Sequence, residues 1–128
     1  MSWIKEIPRE EYILPGTTSC MGCGATLSLR LALRILGKRT ILVIPAGCSS
    51  IIQGSYPKTA FRVPVLNVAF ASSAAVASGV VAALKVRGID GVNVVVWAGD
   101  GGTADIGLSA LSGAAYRRDN MLYICYDN

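Results

Sequence analysis

Apolar and polar positions change their spacing several times along the chain, and each change predicts an element. Between Ala25 and Leu36, Leu29, Leu33 and Leu36 share one helical side while Arg30 and Arg34 share another. An amphipathic helix is expected there, closed by Gly37. TILVIP (40–45) is a short apolar run ending in proline, which reads as a buried strand. AGCSS then reads as a loop and IIQGS as one helical turn. RVPVLNVAF (62–70) reads as extended. Ser72 or Ser73 is the expected cap of a helix running to about Arg87. Its body, AAVASGVVAAL, is mostly small residues, so burial on nearly all sides is expected. NVVVWAG (93–99) is β-branched and reads as a strand, Asp105–Tyr116 as a helix, and MLYICY (121–126) as a strand.

Strands that alternate with helices, and are apolar on both faces, predict an α/β fold with a doubly wound parallel sheet. Residues 1–19, with Pro8, Pro15 and the turn LPGTTS, read as an N-terminal arm, and 20–128 as the domain. A strand with no helix after it predicts an apparently truncated domain: a fragment, a split subunit, or a chain interrupted by an intein after Asn128.

Length and composition narrow the class. With 128 residues, 52% hydrophobic and 16% charged, the chain is a single domain and not a disordered one. The net charge is +4 without a run of like charges, so no nucleic-acid partner is expected. Residues 63–84 carry no charge and are long enough to span a bilayer. Pro64, Asn67, Ser72, Ser73 and Ser78 interrupt them, so they read as a buried strand and helix, with no membrane role. The start is acidic and lacks an apolar run, so no signal peptide is expected and the location reads as cytoplasmic. Cysteines in that compartment are more often ligands or catalysts than disulfides. Four cysteines and no histidine leave the usual general base and the usual zinc ligand missing.

Gly99-Asp100-Gly101-Gly102-Thr103 leaves a strand and is expected to form a loop into a helix, where ligands bind in parallel sheets. Glycines let a phosphate approach the backbone, and a helix start offers free N–H groups. A carboxylate at Asp100 would repel a bare phosphate; it makes sense with Mg2+ between them. Asn128 follows one strand–helix–strand unit later, and a right-handed crossover returns it to the same sheet edge. Asp100 and Asn128 are therefore candidate ligands of one metal. The bland alternative is a glycine-rich turn and a chain-end asparagine. No Gly-Lys-Ser/Thr follows, and Ala104 stands where G-x-G-x-x-G needs glycine, so a nicotinamide cofactor is a minor alternative.

Cys20-Met-Gly-Cys23 precedes a helix, and Cys48 follows a strand. Zinc, a thioredoxin-like dithiol and an iron–sulfur cluster compete for these residues. Zinc lacks a second C-x-x-C, and the dithiol leaves Cys48 without a role. A cluster takes cysteine thiolates from separate parts of the chain. The fourth ligand is then Cys125 or lies beyond the chain, with Cys125 read as a small buried apolar residue.

CMGCGA, PAGCSSIIQGSYPKTAFRVPVLNVAFASSAAVASGVVAAL and WAGDGGTADIGLSALSGAAYRRDNMLYICYDN together resemble the β subunit of the pyruvate:ferredoxin oxidoreductase family, in its N-terminal part. The similarity runs from about Ser19 to Asn128. It implies the thiamine-diphosphate-binding fold, in its diphosphate half. It also implies oxidative decarboxylation of a 2-oxoacid, with pyruvate the best guess, to an acyl-CoA and CO2, with electrons leaving through a [4Fe–4S] cluster to ferredoxin. By resemblance Cys20, Cys23 and Cys48 are cluster ligands, Asp100 and Asn128 bind magnesium, and Gly99, Gly101, Gly102 and Thr103 lie along the diphosphate of thiamine diphosphate. The implied partners are an α subunit, further γ and δ subunits, and ferredoxin, with the oxoacid and coenzyme A as substrates. Ser72-Ser73 stand where members of that family more often have Glu-Asn. Thiamine activation needs a carboxylate, yet Glu6, Glu10 and Glu11 all lie in the arm, so that group is expected on a partner chain. The small-residue helix 72–87 is a candidate interface. The alternative function is an inactive or split thiamine-diphosphate-fold binding module whose cysteines are structural or bind zinc. A weaker one is a thiol oxidoreductase using Cys20 and Cys23.

Overall fold

The computed structural model describes residues 6–127. Strands β1 (Thr40–Pro45), β2 (Val65–Val68), β3 (Asn93–Gly99) and β4 (Leu122–Tyr126) form one sheet in the order β2-β1-β3-β4. Every pairing is parallel; Val43 lies opposite Val96, and Gly99 opposite Tyr126. Four α-helices are found among the described residues: α1 (Gly24–Leu36), α2 (Cys48–Gln53), α3 (Ser73–Val86) and α4 (Leu108–Arg117).

Strand parity divides the core. Leu42 and Ile44 of β1, with Val95 and Trp97 of β3, pack with Leu29 and Leu33 of α1 and Ile52 of α2. Val43, Val94, Val96 and Ala98 meet Ala77 on α3. Because both faces are covered, β1 and the middle of β3 need no polar alternation, and their continuous apolar runs follow. The expected doubly wound α/β sheet is present. Helix α1 ends where Gly37, at φ 77°, donates its N–H to the Leu33 carbonyl. No helix among the described residues is long and apolar enough to cross a membrane.

Several local expectations change. The extended stretch 62–70 keeps only four residues in β2, an edge strand with Leu66 and Asn67 exposed. Cys48 opens α2 instead of lying in a loop. Helix α3 is not enclosed: it buries Ser73, Ala74 and Ala77 and leaves Ala75, Gly79, Ala82, Ala83 and Val86 exposed. Small side chains carry no directional signal, so only docking on the sheet decides which side is covered. Ser72 sits at the N-cap, but its hydroxyl donates to the Ala69 carbonyl rather than accepting from the helix.

The expected arm also joins the core. Tyr12 and Ile13 are buried, and Ile13 bridges to Phe61 in antiparallel sense. Leu14 donates its N–H to the Ala60 carbonyl at 2.7 Å, and Arg62 donates to the Tyr12 carbonyl at 2.9 Å. Glu11 pairs with Arg30 and Arg34 of α1. Glu10 accepts the Tyr12 hydroxyl at 2.8 Å. The glutamates at 10 and 11 are thus engaged with the fold rather than outside it.

Candidate functional site

The glycine-rich segment is not a loop. Asp100 already has helical dihedrals, φ −56° and ψ −48°, and Gly101–Asp105 form one π-helical turn that leads into α4. Its signature is the bond from the Ile106 N–H to the Gly101 carbonyl, 3.1 Å across five residues. Gly107 permits it: a Cβ there would stand 1.8 Å from the Gly102 carbonyl oxygen. Thr103 is buried and donates its hydroxyl to the Gly99 carbonyl at 2.7 Å. Phe70, from the β2–α3 connection, lies over the turn; a Cβ on Gly101 would be 3.2 Å from its ring and one on Gly102 3.4 Å. The Tyr123 hydroxyl, 3.2 Å from the Ser73 hydroxyl, donates to the Gly102 carbonyl at 3.4 Å. The backbone that would face a phosphate is thereby held from three sides.

Asp100 is exposed at the end of β3. β3 and β4 are parallel neighbours, and the Gly99–Tyr126 register brings the residues after Tyr126 out of the same edge as Asp100. Asn128, the other expected magnesium ligand, lies outside the described residues.

On the α1/α2 side of that edge a pocket of about 870 Å3 opens. Cys20, Cys23, Cys48 and Cys125 are among its lining residues, with Trp97 and Tyr126. No disulfide joins the cysteines. Among the described residues no three Cys, His, Asp or Glu side chains converge closely enough to hold a single metal ion. Cys23 occupies the N-cap of α1, facing unpaired helix N–H groups. The Thr26 hydroxyl lowers its thiol pKa most, followed by the Thr26 backbone N–H; burial opposes both, and the Ala25 N–H adds a smaller lowering. Cys48 is exposed at the start of α2.

Cys125 is exposed, which corrects the expectation of a buried apolar residue. β4 is an edge strand, and its alternation sends Ile124 and Tyr126, but not Cys125, toward the α1/α2 core.

Two aromatic residues join the regions. Trp97, 2% exposed, stacks on Tyr126 with centroids 5.6 Å apart and planes at 23°. Tyr126 accepts a hydrogen bond from the Ser49 hydroxyl at 3.3 Å. Its ring lies 3.5 Å from where a Gly99 Cβ would be, and its hydroxyl 3.6 Å from that of Gly47. It therefore touches the chain both where it enters α2 and where it enters the π turn. The Trp97 indole N–H is hidden from solvent and has no partner. Leaving such a donor unpaired costs about 1–3 kcal/mol.

Sequence reasoning did not find Phe70, Gly107, Trp97 or Tyr126 as site residues. Gly107 had a signal, a glycine five residues after Gly102; the aromatics had none, since contacts 25–80 positions apart leave no local pattern.

Residues 45–128 match the family described as "Thiamine pyrophosphate enzyme, C-terminal TPP binding domain". The chain is 59% identical over 123 residues to the pyruvate synthase subunit PorB of Methanothermobacter thermautotrophicus, an overlap of 96% of this chain and 43% of that protein. It is 54% identical to the ketoisovalerate oxidoreductase subunit VorB of Pyrococcus furiosus, over 95% of this chain and 41% of the relative. For the PorB subunit of Methanocaldococcus jannaschii the identity is 47%, over 98% and 44%. The chain thus spans less than half the length of these relatives. The resemblance read from CMGCGA, AGCSS and GDGG is borne out, and the chain belongs to the thiamine pyrophosphate enzymes through their C-terminal TPP binding domain.

Proposed function

We propose that this chain is part of a 2-oxoacid:ferredoxin oxidoreductase subunit of the β type, with pyruvate as the oxoacid. One observation carries the proposal: the pinned Asp100–Asp105 turn and the cysteine-lined pocket open on the same sheet edge, joined by Tyr126.

The residues suit the groups. Glycines at 101 and 102 leave backbone N–H groups bare at a helix start, which favours a diphosphate. Asp100 offers a hard carboxylate oxygen for Mg2+, with Asn128 as its proposed companion ligand. Cys20, Cys23 and Cys48 offer soft thiolates, and the lowered Cys23 pKa favours the ligating form. A [4Fe–4S] cluster spreads its thiolates over separate irons, so it does not need three sulfurs around one point. The fourth ligand lies beyond these three. When bound, thiamine diphosphate supplies the electron sink for decarboxylation, and the cluster takes single electrons for ferredoxin.

This chain's own part is to hold and orient. The π turn fixes the diphosphate end, Phe70 shields one side of it, and Trp97 and Tyr126 stack between turn and pocket. A catalytic carboxylate is not supplied by the arm: the Tyr12 hydroxyl, which Glu10 accepts, lies beside Gly37, at the far end of α1 from Cys23. That group comes from an α subunit, with γ and δ subunits completing a cytoplasmic complex that uses coenzyme A.

Anaerobic purification of the native complex tests the proposal. Iron and sulfide near four per site, with thiamine diphosphate and magnesium, are expected. Zinc in place of iron, or no metal, overturns it in favour of a binding module.

A further inference from the structure

Helix α1 is apolar on two sides. Leu29 and Leu33 are buried in the core with Leu42 and Ile44 of β1. Leu27, Leu31 and Ile35 each stand two residues away from one of them, about 200° around the helix. They are 55%, 37% and 64% exposed. Steps of four residues set the three side chains in one row on the outer side, about 12 Å long. The solvent side of a surface helix is ordinarily polar, and a helix apolar all round is ordinarily enclosed. Core packing explains the inner row and gives the outer row no reason.

Charge indicates what covers the outer row. α1 carries no acidic residue. Arg30 and Arg34 run beside the row, and the exposed Lys38 follows its end. Both arginines share Glu11, yet the Arg30 side chain stays 46% exposed. Glu10 is engaged by the Tyr12 hydroxyl. A second copy laid on this row would set two arginines and a lysine against two arginines and a lysine, and like charges oppose that pairing. An apolar row with cations at its border fits a helix whose own apolar row is bordered by carboxylates.

We propose that Leu27, Leu31 and Ile35 seat an acidic amphipathic helix from another subunit of the complex. Apolar side chains of that helix at i, i+3 or i+4 and i+7 cover the row, and its carboxylates meet Arg30 and Lys38. Cys23 caps α1 and lines the cysteine pocket, so the partner braces the helix that begins at this thiol. The inference rests on the proposed assembly with other subunits and on none of the cofactor assignments.

The experiment irradiates the native complex carrying Ile35→p-benzoylphenylalanine, the replacement at the most exposed residue of the row, and identifies the cross-linked peptides by mass spectrometry. The expected partner is a segment of another subunit with apolar residues at helical spacing between Asp and Glu. A cross-link to a second copy, to this chain's own polypeptide, to lipid or to a segment without acidic borders overturns the inference, as does the absence of any cross-link. If the substituted complex does not assemble, carbodiimide coupling of the wild-type complex decides, because it joins Lys38 to a carboxylate in direct contact. Lys38 joined to Asp or Glu of another subunit supports the inference. Lys38 joined only within this chain, joined to a second copy or left unmodified overturns it. A native preparation without other subunits fails the proposed assembly and the inference together, whereas a complete complex with the row uncovered fails the inference alone.

Discussion

β1 and β3 lie side by side, run the same way and break into helices at the same edge, yet the two breaks are built from different materials. After β1 the chain passes Gly47 and presents a cysteine as the first residue of a six-residue helix. After β3 it passes Gly99 and presents a carboxylate ahead of a π turn. The β3 break is made of backbone: Thr103 and Tyr123 hold its Gly99 and Gly102 carbonyls, and the Phe70 ring packs against Gly101 and Gly102. The β1 break is made of side chains, and its exposed sulfur lines an open pocket. A hard anion held through backbone needs a frame fixed in advance. Soft thiolates form strong directed bonds to iron and tolerate a frame that metal completes.

If that contrast holds, substitutions on one side should spare the other. The largest expected effect is from Cys48→Ser: on the proposed cluster assignment the complex loses iron while bound thiamine diphosphate stays near wild-type content. Metal and cofactor analysis of the same sample checks both halves, and joint loss of the two would erase the contrast. Gly107→Ala should do the reverse. Its Cβ meets the Gly102 carbonyl, so the π turn must open, at a cost to stability of about 3 kcal/mol by analogy with overpacked sites. Thiamine diphosphate affinity should fall by at least ~10-fold, the equivalent of about 1.4 kcal/mol. Iron content should be kept.

Phe70→Ala sharpens the same point with less disruption, because the ring is 42% exposed. The turn loses one wall, and a several-fold rise in the thiamine diphosphate dissociation constant is expected, with partial recovery in Phe70→Leu. An unchanged constant would show that Phe70 merely covers the turn.

Thr26→Val addresses the sulfur side. The Thr26 hydroxyl is the largest cause holding the Cys23 pKa down. Without it the folded pKa rises toward the ordinary thiol value, so the thiolate fraction at neutral pH falls. The pH midpoint of Cys23 alkylation in cluster-free protein, followed on its own peptide by mass spectrometry, should move up. The linked stability has the same sign: a depressed folded pKa stabilises the fold above the unfolded pKa, and the gain fades as pH falls through the folded value. The smallest effect is expected from Tyr126→Phe. It removes the 3.3 Å bond from Ser49 and keeps the ring, so stability should fall by about 0.5–1.5 kcal/mol, measured as a shift in denaturant midpoint, with both cofactors retained.

What was legible in the sequence followed from local rules. A strand covered on both faces must be apolar throughout, and β1 and β3 coincide with TILVIP and NVVVWAG residue for residue. Helix α1 shows its buried Leu29 and Leu33 at helical spacing. The position of Asp100 and the glycines at the end of β3 was legible too, as was that of Cys23 just before α1. Helix α3 was misread because alanine and glycine suit core and surface alike. The arm was misread because its two core residues, Tyr12 and Ile13, stand among charges and prolines.

The sequence by itself determined the order of elements, the parallel sheet and which residue types stand at each strand end, since these depend on neighbours a few positions apart. Only the tertiary structure decided that Phe70 walls the glycine turn, that Tyr126 touches both strand ends, and that the Trp97 N–H is buried without a partner. Those are relations between residues distant in sequence, and they exist only once the sheet fixes which strands lie together.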